Sequence, residues 1–218
     1  MAARAAQLYK GAMTSRYHDI MFSKAVKAAQ EANGSRRAYA RHEGASTGPD
    51  RLTETEAAFI AGRDSFYMAT VGSSGWPYMQ HRGGPPGFVK IIDDRSFAIA
   101  DYRGNRQYIT VGNAADEAKT ALFFMDYPRR TRLKLLARMR VADPVSEPAL
   151  AAAVVDTGYK AVVERVLVFN VEAFDWNCPQ HITPRYTLAD VTPAIDALKV
   201  RIAELEAKLA AVTTASGR

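Results

Sequence analysis

Phe66-Tyr67-Met68-Ala69-Thr70-Val71, then Ser73-Ser74-Gly75, then Trp76-Pro77-Tyr78-Met79-Gln80-His81-Arg82: the reading of this stretch decides the fold class. A short apolar and β-branched run, a Ser-Gly turn and a return strand make a β-hairpin. The pattern repeats on both sides. Phe88 to Ile92 predicts a third strand, and Asp93-Asp94 turns it into a fourth, Ser96 to Ala100. Thr120 to Met125 predicts a strand closed by the turn Asp126-Tyr127-Pro128. Leu133 to Val141 and Arg165 to Phe174 predict two more. Helices are expected at Gly104 to Val111 and Glu147 to Val155. Six or seven antiparallel strands with few helices predict a mainly β (α+β) domain, with the sheet rolled into a closed or partly closed barrel.

The flanks differ. Residues 1–50 predict an N-terminal arm and linker: a loosely ordered start to residue 19, a helix capped by Ser23 and running to Ala32, and a polar connection from Ser35 to Asp50. Thr53 and Glu56 predict a capping box for a helix that stops at Gly62. Residues 51–187 form the barrel domain. Residues 188–218 form a C-terminal helical unit, with Thr192 as cap and Pro193 in first position. In it Leu198, Ile202, Leu205, Leu209 and Val212 recur at 4-3-4-3 spacing, the seam of an amphipathic or coiled-coil helix. That seam packs either on a second copy or on its own barrel.

The chain has 218 residues, 48% of them apolar, which is ample for one core. Net charge is +6, and Arg129, Arg130, Arg132, Lys134, Arg138 and Arg140 cluster with no acid among them. No nucleic-acid signature accompanies this basic run, so a solvated face is expected and no nucleic-acid partner. A single cysteine, Cys178, excludes an intrachain disulfide and fits a reducing cytoplasm. No run of about 18 apolar residues predicts a membrane span. His18, His42, His81 and His181 are scattered, so no metal site is expected.

Two segments carry candidate chemistry. Gln80-His81-Arg82-Gly83-Gly84 and Asp101-Tyr102-Arg103-Gly104-Asn105-Arg106-Gln107 each follow a strand and set cationic and amide side chains beside glycine. Gln80 and Arg82 share one face of their strand and His81 takes the other. Arg103 and Arg106 flank Gly104 at an expected strand-to-helix junction, where free N–H groups and arginine bind phosphate. Gly104 allows close approach or positive φ. A third segment, Phe174 to His181, offers Trp176, Asn177 and Gln180. The plainer readings are solubilising arginines, a histidine with one structural hydrogen bond, and Cys178 as a small packed residue.

On Trp76-Pro77-Tyr78, Arg82, Asp101 to Gln107 and Ala121-Leu122-Phe123-Phe124 the chain resembles the pyridoxamine 5′-phosphate oxidase-like flavoproteins, in particular their predicted flavin-nucleotide-binding branch. The resemblance spans roughly residues 52 to 187. It implies an FMN-binding split barrel, a homodimer with flavin at the subunit interface. The family's second-strand arginine aligns with Gln80, with Arg82 on the same face. Its Ser-Arg-Lys aligns with Gly104-Asn105-Arg106, so that Arg106 takes the phosphate-binding lysine's place. A glutamine aligns with Arg132, and a late Trp and Arg resemble Trp176 and Arg185. The Arg-x-Val-Leu-Leu-Lys and Ser-Arg-Lys runs are themselves absent, so oxidation of pyridoxamine phosphate is not expected.

The resemblance thus implies an FMN-dependent oxidoreductase working between a small-molecule electron donor and acceptor. Arg82, Arg106 and Arg103 would hold the phosphate, and Gln80, Asn105 and Gln107 the ribityl chain or ring edge. Trp176 would cover the ring, with Gln180 and Arg185 nearby, and Arg132 would favour the reduced flavin. The alternatives are a non-catalytic flavin or haem module for storage or sensing, and a deazaflavin-dependent reductase.

Overall fold

The computed structural model describes residues 15–41, 43–177 and 180–216. Short helices come first: α1 (Ser15–Met21), α2 (Lys24–Ala32), α3 (Arg36–Ala40) and α4 (Glu54–Ala61). The sheet follows as β1 (Ser65–Val71), β2 (Pro77–Gly83), β3 (Lys90–Asp93), β4 (Ser96–Tyr102), α5 (Ile109–Asp116), β5 (Lys119–Asp126), β6 (Thr131–Ala142), α6 (Pro148–Val154) and β7 (Val163–Asn177). A long helix, α7 (Leu188–Ser216), ends the chain. The seven strands form one sheet in the order β2-β1-β5-β6-β7-β4-β3, antiparallel throughout.

The sheet is curled. Phe66 of β1 meets Phe169 of β7 edge-on, ring centres 6.3 Å apart, although β5 and β6 lie between those strands. Phe97 of β4 likewise meets Phe124 of β5. Such contacts need the sheet to roll round a common interior. That interior is aromatic: Phe66, Phe88, Phe97, Phe124 and Phe169 are all buried. Gly84 is required here, since a β-carbon on it would stand 2.7 Å from Phe88. A second, smaller cluster joins Ala98, Ala100, Ala142, Val166 and Val168 to Val154 of α6. With both faces covered, β4 is buried from Ser96 to Asp101, so no alternation shows there.

The barrel is split where β2 and β4 face each other. β3 pairs with β4 only at Ala98, Phe97 and Ser96, leaving Ile99 to Tyr102 without a partner on that edge. Phe97, Ile99 and Asp101 share the inward face, and a bulge follows Asp101. Along β2 the partners of Phe66, Met68 and Thr70 are Arg82, Gln80 and Tyr78, so these three side chains also turn inward. The apolar interior therefore becomes polar at its split.

Several boundaries move from their expected places. Ser23 caps α2, and the Thr53–Glu56 capping box opens α4, which stops at Gly62. The expected linker holds α3, and the loosely ordered start holds α1. The expected helix at Gly104 starts at Ile109, because Arg106 and Tyr108 have φ of 60° and 54° and cannot continue a right-handed helix. α7 starts at Leu188, not Thr192. Thr187 caps it reciprocally with Asp190, leaving Pro193 inside the helix.

Candidate functional site

At the split, Arg82 and Asp101 bridge the gap: Nη1 donates to Oδ1 at 2.6 Å. Asp101 is 4% exposed and also accepts from Arg165 Nε, 2.9 Å away on the neighbouring strand. Arg165 continues to Glu164 at 2.7 Å, and Glu164 accepts from Arg103 Nε at 2.8 Å. The result is an alternating chain of charge, Arg82–Asp101–Arg165–Glu164–Arg103. Arg103, the outermost member, is half exposed and holds the Glu164 carboxyl below its ordinary range.

Around this chain lies a cleft of about 270 Å³. Tyr78, Gln80, His81 and Arg82 of β2 line one side, and Gly104 to Val111 line another. The Gln80 amide is best oriented with its oxygen inward, accepting from Thr110 Oγ1 at 2.7 Å and Arg82 Nη2 at 3.0 Å. α5 is fixed by Asn113, which donates to Thr70 Oγ1 at 2.9 Å, and by Asp116, which accepts from Ser73 N–H. Its N-terminus opens on the cleft, and Tyr108 in the N-cap position provides no side-chain cap. The N–H groups of that first turn have no partner within the helix and carry partial positive charge.

The loop before α5 holds two non-glycine residues in the left-handed region, each at a cost of about 1–2 kcal/mol. Asn105 Oδ1 accepts from Gln107 N–H, and Arg106 Nε donates to the Tyr108 hydroxyl at 3.0 Å. Arg165 lies over the Tyr108 ring, 4.7 Å from its centre. Among the described residues no ion pair joins Arg106 to a carboxylate. Of the two roles open to Gly104, positive φ falls instead on Arg106 and Tyr108. A β-carbon at Gly104 would meet no atom within 4 Å, so the space over it is open.

The cleft thus gathers Gln80, His81, Arg82, Gly104, Asn105, Arg106 and Gln107. Arg103 stands at its margin. His81 is exposed and turns to Tyr67, ring centres 5.6 Å apart. The other candidates stand elsewhere in the chain. Trp176 lies within β7 rather than in a loop after it. Its ring meets Phe59 edge-on at 4.7 Å, and Nε1 donates to the buried Glu56 at 2.7 Å. Arg185 lies over the Tyr127 ring, and Gln180 is exposed in a turn. Arg132 sits on β6 opposite Met125 and Asn177, with a buried Nε that finds no hydrogen-bond partner among the described residues. Cys178 lies outside the described residues.

Sequence reasoning missed Arg165, Tyr108 and Thr110. The signal for Arg165 is its register opposite Asp101, which only strand pairing reveals. Among the described residues no group of three His, Cys, Asp or Glu could hold a metal ion, and no helix is long and apolar enough to cross a membrane.

The model of the family described as pyridoxamine 5′-phosphate oxidase matches residues 52–177. The chain belongs to the pyridoxamine 5′-phosphate oxidase family. No curated protein matches it. Solved structures similar to it include HupZ of Group A Streptococcus, 18% identical, covering 62% of this chain and 100% of that one with a TM-score of 0.46. An FMN-binding protein of Syntrophomonas wolfei is 13% identical over 56% of this chain and 83% of that one, TM-score 0.40. A general stress protein 26 relative from Clostridium acetobutylicum, of the pyridoxinephosphate oxidase family, is 16% identical over 58% of this chain and 86% of that one, TM-score 0.37. Membership in the family rests on the match over residues 52–177.

Proposed function

We propose that the cleft between β2, β4 and α5 holds the phosphate and ribityl end of FMN, and that the protein is an FMN-dependent oxidoreductase. The observation that carries this reading is the charge balance. Four arginines, Arg82, Arg103, Arg106 and Arg165, stand at the cleft against two carboxylates, Asp101 and Glu164. The surplus cation, the uncapped start of α5 and the open space over Gly104 fit a dianionic phosphate. Asp101 orients Arg82 and Arg165, and Gln80, Asn105 and Gln107 supply amides for hydroxyl groups.

The bound flavin would supply the electron- or hydride-transfer chemistry, with the protein binding, orienting and tuning it. Arg132, Trp176, Gln180 and Arg185 belong to this reading only across a subunit interface. The orphaned Nε of Arg132 is the feature that favours including it. An apolar outer face of the sheet, with Tyr67, Ala69, Phe123 and Leu136 around a hollow of about 430 Å³, suits a second copy.

The test is a pair of titrations of the purified protein with FMN and with riboflavin. FMN should bind at least roughly tenfold more tightly, since charge-assisted bonds to phosphate contribute about 1.5–3 kcal/mol each. Equal affinities would remove the phosphate from this cleft.

A further inference from the structure

We propose that α7 is one strand of a parallel, in-register, two-stranded coiled coil formed with a second copy of this chain. The inference does not depend on flavin. From Thr192 to Thr213 every residue of α7 is exposed, including Leu198 at 63% and Leu209 at 66%. Such a helix is not packed on its own barrel. Exposed apolar side chains in that number on one stripe mark an interaction surface.

Because the helix begins at Leu188, the apolar repeat is longer than the tail's sequence suggested. Leu188, Ile195, Ile202 and Leu209 fall on the a positions of a heptad, and Val191, Leu198, Leu205 and Val212 on the d positions. Pro193 and Val200 fall on f, facing away from the seam. Isoleucine at a with leucine at d, as in the two central heptads, favours two parallel strands.

The flanking charges choose the orientation. In a parallel pair, g of one helix meets e of the next heptad on the other, so Arg201 meets Glu206 of the second copy, twice by symmetry. Within one chain Arg201 pairs with Glu204 at 2.8 Å, whereas Glu206 has no ion pair among the described residues. The antiparallel alternative that overlaps the whole stripe sets Ile195 against Leu205 and Val191 against Leu209. It also sets Arg201 against Arg201 and Lys199 against Lys199 of the second copy. Like charges on both flanks at its centre disfavour it.

Cysteine cross-linking of the full chain tests this. In a Cys178→Ser background, Val191→Cys and Leu209→Cys place a thiol near each end of the seam, and Val200→Cys places one on the outward face. All three positions lie on α7 away from the barrel core, so folding of the barrel is not at stake. Under mild oxidation at micromolar concentration, the Val191→Cys and Leu209→Cys proteins should each form a disulfide-linked homodimer. Each should do so at least roughly tenfold faster than Val200→Cys, because assembly raises the effective thiol concentration. Disulfides formed only when the Val191→Cys and Leu209→Cys proteins are mixed would establish the antiparallel pair and overturn the proposal. No linkage at either position above the rate of Val200→Cys would overturn it as well, leaving α7 to a different partner.

Discussion

Two regions of this molecule are rich in cations, and they behave differently. On β6 three cations of the basic run are matched side by side, Arg132 being the exception: Lys134 pairs with Asp175 at 2.6 Å, Arg138 with Glu172 at 2.8 Å and Arg140 with Glu147 at 2.5 Å. Asp175 and Glu172 come from β7, distant in sequence, and Glu147 from the turn before α6, seven residues on from Arg140. In the cleft, by contrast, Asp101 and Glu164 are shared among Arg82, Arg165 and Arg103, and among the described residues Arg106 has no carboxylate partner but a tyrosine hydroxyl. A binding site is therefore not where arginines are numerous. It is where they outnumber the acids that hold them, and where those acids are buried enough to fix their direction.

The sharpest test of this contrast removes the acids. Asp101→Asn leaves Arg82, whose side chain is 18% exposed, without its counter-charge, and leaves Arg165 with Glu164 alone. Breaking such a buried pair should lower unfolding free energy by about 3 kcal/mol, measured by urea denaturation. Glu172→Gln on the β6 side touches Arg138 and Arg16, whose side chains are 54% and 33% exposed. It should change stability by less than about 1 kcal/mol. Equal losses at the two sites would erase the distinction between them.

The next test removes the cations. Arg106→Ala should weaken FMN binding at least roughly tenfold, or about 1.4 kcal/mol, and flatten its dependence on salt. Arg138→Ala, already satisfied by Glu172, should leave the FMN dissociation constant within about twofold and so below about 0.5 kcal/mol. Fluorescence titration at two salt concentrations checks both. An effect of Arg138→Ala as large as that of Arg106→Ala would make the attraction a property of overall charge rather than of the cleft.

The sequence carried the local half of this picture. The hairpin, the capping box of α4 and the strand-end segments at Gln80–Arg82 and Asp101–Gln107 are written in adjacent residues, and periodicity finds them. What escaped it depends on pairing between distant residues. Asp101 opens a strand-end segment with no role of its own until register sets it beside Arg165, sixty-four positions away. Trp176 looks like a loop aromatic because β7 was expected to stop at Phe174, whereas the strand runs on to Asn177 and hands the indole to Glu56 of α4. Positive φ at Gly104 is one of two roles its context allows, yet the left-handed conformations fall on Arg106 and Tyr108. A loop held by its own side chains can place them elsewhere.

The finest version of the comparison uses two glutamates as reporters. Glu164 in the cleft and Glu147 beside β6 each have a carboxyl pKa below the ordinary 4.5, the first through its hydrogen bond from Arg103, the second through Arg140. Because both folded values are depressed, the stabilisation they give is present above pH 4.5 and is lost as pH falls through the folded values. FMN in the cleft would bring a phosphate dianion toward Glu164 and compete for Arg165, so saturating FMN should raise the Glu164 pKa toward 4.5. Glu147 faces no such ligand and should not move. Carbon-detected NMR titration of the two side chains, with and without FMN, reads the difference directly. If both carboxyls shift together, the nucleotide acts through the general charge of the protein. If neither shifts while FMN binds, its phosphate lies away from the β4–β7 edge, and Arg82 and Arg165 serve the fold alone.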